Sequence, residues 1–164
     1  MEKQNFYDLN FNQLKAFLVE NMNIDSKKAK MRSQQLFNAV YKKNIKNFDE
    51  LTTFGLELRK QIKDIISLDK PKIIDVQKSK DGTIKFLLEL KDKRNVETVL
   101  IPDKNQSRYT ICLSVSVGCY LSCEFCATAQ ISKKLVRNLS PGEIISQIIL
   151  CKDYINDWST NKQI

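Results

Sequence analysis

Apolar residues recur at helical spacing along the first seventy positions and change period after Pro71. Leu9, Leu14, Phe17 and Leu18 form one stripe and predict a first helix. Asp25 is placed to cap a second, whose Ala29, Leu36, Phe37 and Val40 face inward. Asn47 or Asp49 starts a third, carrying Leu51, Phe54, Leu58, Ile62, Ile65 and Ile66. Beyond Pro71 the pattern predicts strands over 72–77, 83–90, 96–101 and 109–117, with Lys80-Asp81-Gly82 as a hairpin turn. The fourth strand runs into Gly118-Cys119. Ser140-Pro141-Gly142-Glu143 then opens a last helix: a Ser cap, Pro at the first helical position, and Glu three residues after the cap. Ile144, Ile145, Ile148, Ile149 and Tyr154 are its expected buried face. The helix fades near Asp157, and 159–164 read as a polar tail.

The expected fold class is α+β passing into α/β. An N-terminal helical bundle occupies 1–70 and an antiparallel β-extension 71–111. The first βα unit of a barrel-like core occupies 112–164. One βα unit can neither close a barrel nor cover its own sheet, so the architecture begun here reads as unfinished.

Composition narrows the class. Apolar residues make up 42% and charged residues 28%, as in an ordinary globular protein. No apolar run approaches the ~18 residues of a transmembrane helix, and Met1 to Asn5 lack a signal-peptide core, which predicts a cytoplasmic protein with no membrane partner. The net charge of +8 favours a polyanionic partner such as RNA. The second helix is the basic element, with Lys27, Lys28, Lys30 and Arg32, followed by Lys42, Lys43 and Lys46, against Asp25. That face is either an RNA contact or a solvated surface of a Lys-rich chain.

Chemistry concentrates in Cys119-x3-Cys123-x2-Cys126, three thiols on one short loop in a chain without histidine. Three ligands with no ready fourth point to a metal centre with an open coordination position. Soft thiolates suit an iron–sulfur cluster. A structural zinc site wants four ligands, and the one candidate fourth, Cys112, lies in the preceding strand. An odd set of five cysteines, four within fifteen positions, argues against a secreted disulfide framework.

The surrounding residues carry a resemblance. Thr110 to Cys119, Cys123-Glu124-Phe125-Cys126-Ala127-Thr128-Ala129, and Val136-Arg137-Asn138-Leu139 resemble the radical S-adenosylmethionine RNA methyltransferases that methylate adenine C2 in 23S rRNA and tRNA. Val96 to Pro102, the Ser140 to Gln147 helix start, Phe48-Asp49-Glu50-Leu51 and Leu58-Arg59 extend the match over nearly the whole chain. The resemblance implies that Cys119, Cys123 and Cys126 hold a [4Fe-4S] cluster whose free iron binds S-adenosyl-L-methionine. It implies Glu97 as proton acceptor for the C2 hydrogen. It implies Cys112 as the thiol that resolves a protein–RNA crosslink through a transient disulfide with a C-terminal cysteine. Phe125 matches the aromatic residue usual before the last cluster cysteine. The implied partners are 23S rRNA, tRNA, an electron donor and a missing C-terminal half.

Several positions depart from the family pattern. The segments 102–112 and 130–135 look longer than usual, and Ser116 stands where Gln is common. The Gly-Glu-Pro strand and the methyl-carrying cysteine are absent, so the chain is expected to be inactive alone. Cys151 takes no role. The sister activity at adenine C8 fits the same motifs. The rival readings are a non-catalytic RNA-binding remnant and a zinc-binding module.

Overall fold

The computed structural model describes residues 3–104, 107–121, 123–126 and 136–158. Three sequence features fall outside them: the motif residues Ala127 to Ala129, the long segment 130–135 and the polar tail 159–164. The chain divides into two compact units, Met1–Asp69 and Lys70–Ile164.

The first unit is built on three α-helices: α1 (Phe11–Met22), α2 (Ser26–Tyr41) and α3 (Leu56–Ile65). Local chemistry sets their starts. Asn10 and Gln13 form a reciprocal capping box, and the Asp25 carboxylate accepts from the backbone N–H groups of Lys27 and Lys28. Leu14, Leu18, Ala29, Leu36 and Val40 are buried, as their spacing requires, while Phe37 is half-buried within a ring cluster with Phe6, Phe11 and Tyr41.

The third helix departs from the expected start. Asn47 caps only a 3-10 turn over Phe48–Glu50, and α3 begins later, after Gly55. Phe54 is buried between them and carries the Arg32 guanidinium 4.8 Å above its ring. Ile66, expected on that helix, instead lies in β2 (Ile66–Ser67), which pairs in parallel with β1 (Gln4–Asn5). The Asn5 side-chain amide donates to the Asp69 carbonyl and ties the two ends of the unit together.

The second unit is an antiparallel meander with one long helix. Strands β3 (Lys72–Lys78), β4 (Ile84–Glu89), β5 (Asn95–Pro102) and β6 (Tyr109–Cys112) pair in sequence order. The predicted hairpin turn is present. Gly82 adopts φ 88°, a left-handed conformation costly for other residues, and Asp81 accepts from the backbone and hydroxyl of Thr83. Ile84, Phe86, Leu88, Val96 and Leu100 line one face of the sheet. The helix α4 (Pro141–Tyr154) contributes Ile144, Leu150 and Cys151 to the same core.

Two expectations fail in this unit, the second only in part. The predicted strand over 109–117 stops at Cys112; after a break, β7 (Ser116–Val117) pairs not with the sheet but with β8 (Arg137–Asn138). The isoleucine stripe on α4 holds only in part: Ile149 is buried and Ile144 packs against the core, but the rest of the stripe is not the buried face. Gly142, Ser146, Gln147, Ile149 and Cys151 are buried, whereas Ile144, Ile145 and Ile148 are half-exposed and Tyr154 is exposed at 39%. Gln147 takes its buried position because it satisfies the Ser114 backbone groups at the strand break. The start and end of α4 are locally encoded. Ser140 and Glu143 form the capping box, and Asn156 at φ 55° closes the end while Asp157 N–H donates back to the Lys152 carbonyl.

Ser146 Oγ is buried and has no hydrogen-bond partner among the described residues. Ser146→Ala is therefore expected to stabilise the chain by about 1 kcal/mol, because it removes an unsatisfied hydroxyl and improves helix propensity. A urea unfolding midpoint checks this; a lower midpoint for the variant would show that the hydroxyl has a partner.

Candidate active site

Glu97 and Cys112 come to one face of the sheet. Val99 pairs with Cys112 on β6 and with Lys85 on β4, while Glu97 pairs with Leu87. Directly paired residues point the same way, as do residues two apart, so Lys85, Glu97, Val99 and Cys112 share the face opposite α4. Cys112 is exposed, and the Glu97 carboxylate accepts an ion pair from Lys85 Nζ at 3.0 Å. Extending the register by two residues sets Ser114 opposite Glu97. There the ladder has ended, but Ser114 Oγ donates to the Glu97 carbonyl at 2.6 Å and holds the two chains together.

The backbone of that break is held by Gln147 from α4. Its side-chain Oε1 accepts from Ser114 N–H at 3.0 Å and from Thr98 Oγ1 at 2.7 Å. Its Nε2 donates to the Ser114 carbonyl at 2.9 Å and to the Glu143 carbonyl at 3.2 Å. A fully buried side-chain amide thus exchanges both hydrogen bonds with Ser114, as a neighbouring strand would. Sequence reasoning passed over Gln147 and Thr98. The available signal was one amide among Ile144, Ile145, Ile148 and Ile149 on a helix, a polar group whose burial demands partners.

The cysteine loop leaves β7 through Gly118, whose φ of 78° turns the chain sharply. Cys119, Cys123 and Cys126 are each half-buried, and Cys126 N–H donates to the Cys123 carbonyl at 3.0 Å, a tight turn between the last two thiols. The intervening Phe125 is 92% exposed. No group of three Cys, Asp or Glu side chains is gathered for a metal among the described residues, and none of the five cysteines forms a disulfide. The donor set nonetheless suits an iron–sulfur cluster: three thiols close in sequence, partly shielded, with no imidazole in the chain. Cys151 lies apart, buried in the core, where burial pushes its thiol up to about 12 and leaves it inert.

The return of the loop is fixed by Arg137 on β8. Its guanidinium forks onto Glu143, Nη1 to Oε2 at 2.7 Å and Nη2 to Oε1 at 2.8 Å, and its Nε donates to Asp92 at 2.8 Å. These bonds hold the Glu143 carboxyl below its ordinary value, with help from the Ser140 N–H and against burial. The Arg137 hydrogen bond does the same for Asp92, and the guanidinium is itself pushed further up, first by Glu143 and then by Asp92.

Known proteins resemble the chain along most of its length. The family profile "Ribosomal RNA large subunit methyltransferase N-terminal domain" matches residues 4–68, almost the whole first unit. A protein of Novosphingobium aromaticivorans named dual-specificity RNA methyltransferase RlmN is 39% identical over 143 residues, covering 87% of this chain and 32% of that protein. The protein of the same name from Oleidesulfovibrio alaskensis is 39% identical over 150 residues, covering 92% and 40%. Over this length the chain is similar to part of the proteins that carry that name. It spans well under half the length of these two curated relatives. The crystal structure of a radical SAM methyltransferase from Sphaerobacter thermophilus superposes with a TM-score of 0.78 at 28% identity, covering 93% of this chain and 42% of that one. The α+β architecture is thus shared with that methyltransferase over the matching region.

The Arg137 network sets a pH dependence. Carboxyls held below their unfolded values contribute stability that is present above those values and lost as pH falls through the folded ones. Stability is expected to stay flat from pH 7 down to about 5 and to fall below the ordinary Glu value of 4.5 and Asp value of 3.8. In Glu143→Gln that acid limb should flatten. Urea midpoints as a function of pH check this, and an unchanged acid limb would contradict it.

Proposed function

We infer that these residues belong to a radical S-adenosylmethionine methyltransferase that modifies adenine C2 in 23S rRNA and tRNA. The observation that carries the reading is the Cys119-x3-Cys123-x2-Cys126 loop, set after a strand in a chain related to RlmN proteins along most of its length. Residues 112–164 would be the start of the radical SAM barrel, with 71–111 as a β-extension before it.

Cys119, Cys123 and Cys126 would hold a [4Fe-4S] cluster. With S-adenosyl-L-methionine and an external electron donor, the bound cluster supplies radical chemistry, which the electron-poor C2 position requires because it is a weak nucleophile. The chain's own residues handle protons and sulfur. Glu97 accepts the C2 proton from an exposed position where Lys85 holds its carboxylate. Cys112 attacks the sulfur that links protein to RNA; the sulfur–carbon bond breaks as the disulfide forms. Both groups stand on the open face of the sheet, where a base can reach them. That placement, rather than proximity to the loop, supports their assignment. A cytoplasmic setting, in which thiols stay reduced between turnovers, suits this chemistry. No helix among the described residues is long and apolar enough to cross a membrane.

RNA contact falls to the first unit. Lys27, Lys28, Lys30, Lys42, Lys43 and Lys46 are exposed along and just beyond α2. Arg32 on the same helix is partly buried, lying over Phe54 and donating to Gln35.

Anaerobic reconstitution with iron and sulfide tests the cluster. About four irons per chain with broad visible absorption are expected, and neither in Cys123→Ala. Stoichiometric zinc without iron or colour would overturn the assignment. With S-adenosylmethionine and RNA, the 164 residues alone are expected to give no methyl transfer. Turnover by this chain would contradict that. For RNA, Lys27→Glu combined with Lys30→Glu should weaken binding. It should also lower the log–log salt slope by about 0.7 to 0.9 for each phosphate the variant no longer neutralises. An unchanged slope would remove α2 from the interface.

A further inference from the structure

The two strands that flank the cysteine loop form an isolated two-residue ladder, Ser116 with Asn138 and Val117 with Arg137. Backbone bonds from Val136 N–H to the Val117 carbonyl and from Leu139 N–H to the Val115 carbonyl, each 2.9 Å, extend it slightly. A ladder so short is marginal by itself, and it must also offset the entropy of closing the loop it bounds. Two side chains one helical turn apart on α4 make up the difference. Gln147 holds Ser114 on the entry side, and Glu143 holds Arg137 on the exit side. Arg137 also reaches Asp92 in the turn between β4 and β5, so β8 is fastened to two elements at once.

We propose that Arg137 is a positioning residue that clasps the cysteine loop. By fixing the exit strand beside the entry strand, it limits the span over which Cys119, Cys123 and Cys126, not yet gathered among the described residues, must converge on one centre. The fork is essential: a bidentate guanidinium fixes direction as well as distance, which an ammonium cannot do. The metal the loop takes rests on the reading given under Proposed function, whereas the clasp itself rests on geometry.

The test therefore has one arm without metal and one with it. In a Cys112→Ser background, the metal-free chain is titrated with phenylarsine oxide, which needs two thiols close together. Arg137→Gln should weaken arsenical binding about tenfold, or about 1.4 kcal/mol, with far-UV circular dichroism unchanged. Arg137→Lys should recover only part of the loss. Asp92→Asn, which removes one surface partner and leaves the fork on Glu143, should have a smaller effect in the same direction and guards against a variant that fails to fold. After reconstitution, the Arg137→Gln chain should release iron to a chelator about tenfold faster than the native chain. If folded Arg137→Gln binds the arsenical as tightly as the native chain, the clasp is refuted. If the native chain takes up no iron while arsenical binding still falls in the variant, the cluster reading fails and the clasp stands.

Discussion

The second unit depends on one face of α4. Glu143 and Gln147 lie one turn apart, and between them they grip Arg137 and Ser114, the residues on either side of the cysteine loop. Where β6 ends, the backbone of Ser114 would have an orphan donor and an orphan acceptor. A buried amide supplies both partners, and Thr98 is satisfied by the same oxygen. Leaving such groups unpaired costs about 1–3 kcal/mol each, so Gln147 decides where the sheet can stop.

The chemistry follows from that stop. Because the strand breaks after Cys112, the chain can leave the sheet, form the short β7–β8 ladder and project the thiol loop from it. The open face keeps Glu97 and Cys112 accessible, while the covered face supplies the apolar burial that stabilises the unit. The cap that starts α4 and the clasp that ends the loop use the same carboxylate. Glu143 accepts from Ser140 N–H and from Arg137, so helix initiation and loop closure are linked in one residue.

What could be read from the sequence was what nearest-neighbour chemistry determines. Asp25, Ser140 with Glu143, and Asp81-Gly82 act on backbone groups a few residues away, so they cap and turn wherever the chain goes. The three cysteines were visible because their spacing is their meaning. The missed features are decided at long range. The run Val115-Ser116-Val117 looks like a continuing strand, and only Gln147, more than thirty residues later, shows why it breaks. Ile66 reads as helical until Gln4 and Asn5 offer it a strand partner. Arg32 reads as a surface cation until Phe54 is seen beneath it. Arg137 was legible as part of a motif, but its grip on Asp92 joins positions that no periodicity connects.

Amide hydrogen exchange tests directly the claim that α4 holds both flanks of the cysteine loop. The N–H groups of Ser114, Val136 and Leu139 bond to Gln147, Val117 and Val115. The account predicts that all three exchange as slowly as the central strand β4, and that Gln147→Leu speeds Ser114 and then the other two. Fast exchange at these positions in the native chain, or no change in the variant, would contradict it.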